Sequence, residues 1–181
     1  MNTNSKAETI KMDMRKLWED HITWTRAYLI SAAADSAQKD ADTKRLLKNQ
    51  EDIGNAIKPY YGEAAGGKLT MLLKEHIATA VDLVTAAKAN DQAAMNAANN
   101  KWYKNANDIA DFLAAANPNW PKDQARAMMK EHLDLTKQEA ADILGGKYEE
   151  NVTDYDKVHA QILKMADMLS AGILKQFPEK F

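Results

Sequence analysis

Apolar residues recur at steps of three and four along most of the chain, which is the spacing of one helix face. The first such stripe contains Ile10, Met14, Leu17, His21, Trp24 and Tyr28. A segment with the spacing of a helix capping box, residues 5–8 (Ser-Lys-Ala-Glu), precedes it. No segment shows the strict alternation of a strand. The pattern therefore predicts an all-α protein with a first helix over about residues 6–35.

Helix-breaking residues divide the rest of the chain into five further helices. Pro59 is expected to end the second helix at Lys58, and the third helix covers about residues 63–89. The fourth helix extends to about Ala116, the fifth to Leu144, and the sixth continues until Pro178. The breaks between them are residues 35–36 (Asp-Ser), 59–62 (Pro-Tyr-Tyr-Gly), 90–91 (Asn-Asp), 117–121 (Asn-Pro-Asn-Trp-Pro) and 145–146 (Gly-Gly).

A short histidine-containing segment occurs three times, at residues 17–22, 72–77 and 128–133. The steps between its histidines, from His21 to His76 and from His76 to His132, differ by a single position. A second motif occurs at residues 48–53 and again at 104–109, with the same step. Two motifs with one period predict three tandem αα-hairpins, over about residues 6–59, 63–116 and 121–177. We expect a single helical-bundle domain over residues 1–181.

Each predicted hairpin brings one histidine to the middle of its first helix and a polar pair to its second helix. Residues three apart share a helix face, and metal sites in helical bundles combine single ligands with such pairs. In the third hairpin the recurring Asn151 and Asp154 lie too near the turn, so a pair farther along is preferred. The pairs are Asn49 with Asp52, Asn105 with Asp108, and Asp156 with His159.

These pairs, together with the repeated histidines, predict a polar cluster in the middle of the bundle. The candidate metal ligands are His21, His76, His132, His159, Asp52, Asp108 and Asp156. The most specific expectation is that His76 contacts Asp108 and that His21 contacts Asp52. Replacing Asp108 by alanine should then be more damaging than replacing Asp111.

The cluster fits three functional hypotheses. The first is a non-enzymatic protein that binds a small ligand or a divalent transition metal such as Zn, Fe, Mn or Cu. Haem is disfavoured, and no Cys-x-x-Cys-His motif exists to attach it. The second is a structural or protein-interaction bundle in which the Asp or Asn side chains only satisfy the histidines. The third is a metal-dependent enzyme of unknown reaction, which would need an open coordination position.

The amino-acid composition argues against two classes of binding partner, nucleic acids and anionic membrane surfaces. The net charge of −2, from 24 basic and 26 acidic residues, gives no electrostatic footprint for nucleic acid or an anionic membrane surface. No apolar run approaches the roughly 20 residues of a membrane span, and residues 1–20 contain no apolar signal core. We expect a soluble protein, cytoplasmic unless a leader has been removed. The absence of cysteine excludes disulfides and thiolate metal ligands.

Three motifs carry a family resemblance. They are residues 17–26 (Leu-Trp-Glu-Asp-His-Ile-Thr-Trp-Thr-Arg), the Lys-Glu-His that occurs at both 74–76 and 130–132, and residues 175–178 (Lys-Gln-Phe-Pro). They resemble those of an uncharacterised family of prokaryotic proteins of about this length. The resemblance covers nearly the whole chain and implies an all-helical fold and a bacterial or archaeal origin. It transfers no activity and no site.

Overall fold

The computed structural model describes residues 5–181, which form five α-helices and one short 3-10 helix. No β-strand occurs in this part of the chain, so the predicted all-α class is confirmed. The sequence predicted six helices, and residues 5–181 contain five. Their bounds are α1 Lys6–Ala33, α2 Lys39–Lys88, α3 Gln92–Ala116, α4 Lys122–Leu144 and α5 Tyr148–Gln176, with the 3-10 helix at Pro178–Lys180.

The difference in number arises within α2, which covers the predicted second and third helices. Pro59 does not end the helix, and the backbone leaves helical geometry three residues later, at Gly62 (φ 83°, ψ 170°). That conformation is essentially restricted to glycine, whereas a proline removes one hydrogen bond without reversing the chain. The two halves of α2 then approach each other, since Lys74 Nζ lies 2.6 Å from Glu51 Oε1.

Three local features of the helix ends occur where the sequence indicated them. The capping box of α1 is present, with Glu8 N donating to Ser5 Oγ at 3.2 Å and Ser5 N donating to Glu8 Oε2 at 2.8 Å. Asp91 caps α3 by accepting from Ala94 N at 3.0 Å. Gly146, at φ 71°, follows the end of α4 in the left-handed conformation.

The helices form a closed ring in which α1 packs on α2 and α5, α3 packs on α2 and α4, and α4 packs on α5. Two apolar clusters fill the interior. The larger includes Trp18, Ile22, Leu73, Trp102, Leu133 and Ile162, and the smaller includes Tyr28, Leu29, Leu46, Ile77, Val84 and Ile143. In α2 the change from one cluster to the other occurs at His76, which lies between Leu73 of the larger cluster and Ile77 of the smaller one. The fold sets three histidines at one level.

Within residues 5–181, no helix combines the length and the apolar character that crossing a membrane requires.

Candidate functional site

Three imidazole rings meet in the interior of the bundle. His21 comes from α1, His76 from α2 and His132 from α4, and each is at most 3% exposed. The ring centroids of His21 and His132 are 5.6 Å apart, those of His76 and His132 are 6.2 Å apart, and those of His21 and His76 are 6.5 Å apart. We call these three residues the histidine triad. The sequence prediction that these three histidines share one level is confirmed by these distances.

Three amide side chains on neighbouring helices donate hydrogen bonds to the helices that carry the triad. Asn49 donates to the carbonyl of Leu17 at 2.9 Å. Asn105 and Gln161 make the same contact at 3.0 Å, to the carbonyls of Leu72 and Met128 respectively. Each of these carbonyls belongs to the residue four positions before a triad histidine, and therefore lies one helical turn from it.

The hydrogen bonds of Asn105 determine the tautomer of His76. Its amide nitrogen donates to Leu72 O, so its Oδ1 faces His76 Nδ1 at 3.1 Å. An amide oxygen only accepts, and Nδ1 of His76 therefore carries the proton. Nε2 of His76 makes no hydrogen bond within residues 5–181, so the lone pair of this nitrogen has no donor. Such a nitrogen can accept a hydrogen bond or bind a metal ion.

His21 and His132 have different surroundings. Gln50 Nε2 lies 3.3 Å from His21 Nδ1 and also donates to Leu46 O at 2.8 Å. Since an amide nitrogen donates, Nδ1 of His21 accepts and its proton is on Nε2. Gln161 lies beside His132, but His132 Nδ1 has no hydrogen-bond partner among the described residues. The triad thus offers both donors and acceptors.

Burial keeps all three rings neutral at physiological pH. Desolvation lowers the pKa of His76 to about 3 and that of His132 to about 4. Desolvation also lowers the pKa of His21 well below its usual value, and the neighbouring His132 and His76 add to this effect. A charged imidazolium would lose its hydration here, and a second charged ring within 6.5 Å would repel it.

The triad lines a cavity of about 440 Å³. The remaining walls are mostly aliphatic, with Leu29, Leu46, Ile77, Val81 and Val84 among them. Trp102 lies against the triad with its ring centroid 5.4 Å from that of His76. This size and this apolar character, with a few polar groups at one end, are typical of small-molecule sites.

Buried polar atoms without a protein partner concentrate around the triad. Seven such atoms occur within residues 5–181, and five belong to the triad or to residues in contact with it or beside it. These five are Trp18 Nε1, Gln50 Oε1, Trp102 Nε1, His132 Nδ1 and Gln161 Oε1. An unsatisfied buried group costs about 1–3 kcal/mol, so an ordered water or a ligand that bonded to these atoms would stabilise the fold.

The other four predicted ligands do not belong to this site. His159 lies at the surface with Nε2 2.7 Å from Glu19 Oε1, and Asp156 is exposed. Asp52 pairs with Lys48 at 3.1 Å and Asp108 with Lys104 at 2.6 Å. The predicted contacts of His76 with Asp108 and of His21 with Asp52 are therefore wrong.

The physical reason is rotation around the helix. Three residues advance a helix by about 300°, so Asp52 and Asp108 lie about 60° away from Asn49 and Asn105. That angle is enough to bring the carboxylates to solvent, where lysines pair with them and no charge is desolvated. In the first two predicted pairs the amide faces the triad helices, and the acid does not.

Sequence reasoning missed Gln50 and Gln161. The signal for Gln161 was present, because the step from Asn105 to Gln161 equals the step from Asn49 to Asn105. The prediction instead used distance from the turn and selected Asp156 and His159. Gln50 could not be found this way, since the corresponding position beside Asn105 is Ala106.

As they stand, the described residues contain no group of three or more His, Cys, Asp or Glu side chains placed to hold a metal ion. Three imidazoles that bind one metal at about 2.0–2.1 Å would have ring centroids about 5 Å apart. The triad centroids are 5.6–6.5 Å apart, so the rings would have to move closer together.

Replacing Asn105 by leucine should destabilise the fold by roughly 2–4 kcal/mol, because the change leaves Leu72 O and His76 Nδ1 buried without partners. Asp108→Ala should leave the free energy of unfolding nearly unchanged, since Asp108 pairs at the surface. Urea denaturation followed by circular dichroism measures both. An equal decrease in the free energy of unfolding of the two variants would contradict the role of the Asn105 amide.

The triad should make the folded state less stable as the pH falls. Unfolded histidines take up protons near pH 6.5, whereas burial holds the pKa of His76 at about 3 in the fold. Stability is therefore lost as the pH falls from about 6.5 to 4, by up to about 1.4 kcal/mol per pH unit for each histidine. His76→Gln should reduce this slope by about one proton, as measured by denaturation at pH 7, 6, 5 and 4.5. An unchanged slope would contradict the prediction.

The chain matches no protein-family model, no curated protein and no solved structure at a significant level. No function can therefore be carried over from a relative. The arrangement of the triad and its cavity is the basis for the function proposed below.

Proposed function

We propose that the protein binds a small, largely apolar molecule in the cavity that the histidine triad lines. The observation that carries the proposal is the position of three neutral imidazoles at one end of an apolar cavity of about 440 Å³. The alternative, a purely structural bundle, would pair these groups with each other and leave no space between them. The cavity favours binding, together with the unpartnered atoms of two of its lining residues, Trp102 Nε1 and His132 Nδ1.

The hydrogen-bonding groups of the triad determine which polar groups a ligand needs at the triad end of the cavity. The lone pair of His76 Nε2 accepts a hydrogen bond, and the Nε2–H of His21 donates one. A ligand that reaches the triad gains these bonds without having to displace a charge, because the rings are neutral. The aliphatic walls bind the remainder of the ligand by excluding water.

A divalent transition metal is the second candidate. The favourable observation is the protonation of His76 on Nδ1, with Asn105 as its partner, because metal-binding histidines are commonly oriented this way by a hydrogen bond from the other ring nitrogen. The neutral rings are also in the protonation state that a metal requires. A metal-dependent enzyme is a further extension of this candidate.

We also propose that the bundle is a triplication of one helical hairpin. In support, the step between successive triad histidines is nearly the same as the step between successive amides, which are Asn49, Asn105 and Gln161. The turn at Gly62 would then separate the first hairpin from the second.

A neutral fluorescent probe, N-phenyl-1-naphthylamine, should bind the folded protein in a one-to-one ratio. Ala80→Phe places a large side chain on the cavity wall and should weaken probe binding by about tenfold or more. Ala97→Phe, on an exposed position of α3 outside the cavity, is the matched control and should bind as the wild type does. No binding by the wild type, or equal binding by both variants, would contradict the proposal.

For the metal candidate, elemental analysis of protein purified without chelator and without a histidine tag should find about one metal ion per chain. His132→Phe should lose it, whereas His159→Phe should retain it, because His159 lies at the surface beside Glu19. Absence of metal from the wild type, combined with no response to added Zn²⁺ or Co²⁺, excludes this candidate and leaves the small-ligand proposal in place.

A further inference from the structure

We propose that the ligand is an apolar molecule with a single carboxylate, held with the carboxylate at Lys137 and the apolar part along the aliphatic walls of the cavity. This inference rests on the proposed function and names the chemical class that the cavity accepts. It follows from the distribution of charge and of hydrogen-bond donors around the cavity opening.

The opening lies between α3 and α4. Asn96 of α3 and Lys137 of α4 both line the cavity and are exposed to solvent. Triad residues at the other end are at most 3% exposed. A ligand therefore meets Lys137 on its way in, and its leading part reaches the imidazoles last.

Lys137 is the one Lys, Arg, Asp or Glu in the cavity lining formed by the described residues. Its ammonium group lies 5.4 Å from the Tyr103 ring centroid and makes no salt bridge within residues 5–181. Asp134, one turn earlier on α4, is already bound by Lys130 at 2.6 Å and by the Tyr103 hydroxyl at 2.5 Å. Lys137 interacts with Asp134 only at longer range, so its ammonium group can still pair directly with an anion.

Two amides lie beside Lys137 and offer further donors. Lys137 Nζ donates to Asn99 Oδ1 at 3.3 Å, and Gln92 Nε2 donates to Asn96 Oδ1 at 3.0 Å. The amide nitrogens of Asn96 and Asn99 make no hydrogen bond within residues 5–181 and can donate to a ligand. A carboxylate, which only accepts, matches this set of groups, and charge-assisted hydrogen bonds are stronger than neutral ones.

A second charge on the ligand would have no counterpart. The lining beyond the opening is aliphatic and aromatic, and the triad is neutral, so a charged group there would be desolvated without compensation. A cationic ligand would meet Lys137 and no acid. One anionic group at the opening and an apolar body inside is the distribution that leaves no charge unpaired.

The test compares three molecules that share a ten-carbon chain: decanoate, 1-decanol and decylammonium. Isothermal titration of the wild type should give decanoate at least about tenfold tighter binding than 1-decanol, and decylammonium the weakest binding. Lys137→Gln should remove the preference for decanoate and leave the affinity for 1-decanol unchanged. Lys101→Gln, an exposed lysine of α3 outside the cavity, is the control and should behave as the wild type does.

The outcomes separate this inference from the proposed function. If 1-decanol binds as tightly as decanoate, or if Lys137→Gln keeps the preference, the carboxylate assignment is wrong while the cavity remains a binding site. If decylammonium binds the most tightly, the assigned charge is wrong. If none of the three binds and the neutral naphthylamine probe does not bind either, the inference fails together with the proposed function.

Discussion

The structure depends on a hydrogen bond from an amide side chain to a backbone carbonyl of the neighbouring helix. Asn49, Asn105 and Gln161 each make it, at 2.9–3.0 Å. Three imidazoles cannot be buried in a mostly apolar interior unless polar groups accompany them, because each unsatisfied group costs about 1–3 kcal/mol. The amides supply such groups without adding charge. They also fix the level at which each helix pair meets, which places the three histidines together.

The histidine triad is neutral because its polar partners are amides and not carboxylates. A carboxylate beside each histidine would favour the charged imidazolium, and three such charges within 6.5 Å would repel one another. Amides leave desolvation as the dominant effect, so the pKa values of the rings fall and the triad stays uncharged at neutral pH. The cavity beside it is therefore apolar with hydrogen-bonding groups at one end. This environment suits an apolar ligand more than an ionic one.

Most charged side chains lie at the surface, although Asp42, Glu139 and Asp142 are buried and Glu139 pairs with Arg26. Asp52 and Asp108 pair with lysines on their own helices, and Asp111 receives both Arg126 and Lys122. These carboxylates keep their hydration, and their pairs contribute little to stability individually. Lys137 lines the cavity and makes no salt bridge within residues 5–181, although it interacts electrostatically with Asp134.

The sequence by itself determined the helical class, most of the helix ends and the shared level of three histidines. The apolar stripe of α1, the capping box at Ser5 and the left-handed Gly146 act locally, and local geometry is readable from spacing. The repeat of His21, His76 and His132 likewise needed only counting. Asn49 and Asn105 were identified as polar residues of the partner helices, although the acids three residues later were expected to make the contact.

The tertiary structure alone decided which polar side chain faces each histidine. A rotation of about 60° around a helix separates Asn105 from Asp108, and only the packing of α2 on α3 selects between them. Pro59 and Gly62 are both breakers by sequence, and the close approach of the two halves of α2 selected Gly62 as the turn. The cavity itself is a space between helices, and no pattern along one helix specifies it. The spacing of residues along the chain determines which residues share a helix face and a level in the bundle. Which of these residues touch across two helices depends on the angle at which the helix faces meet.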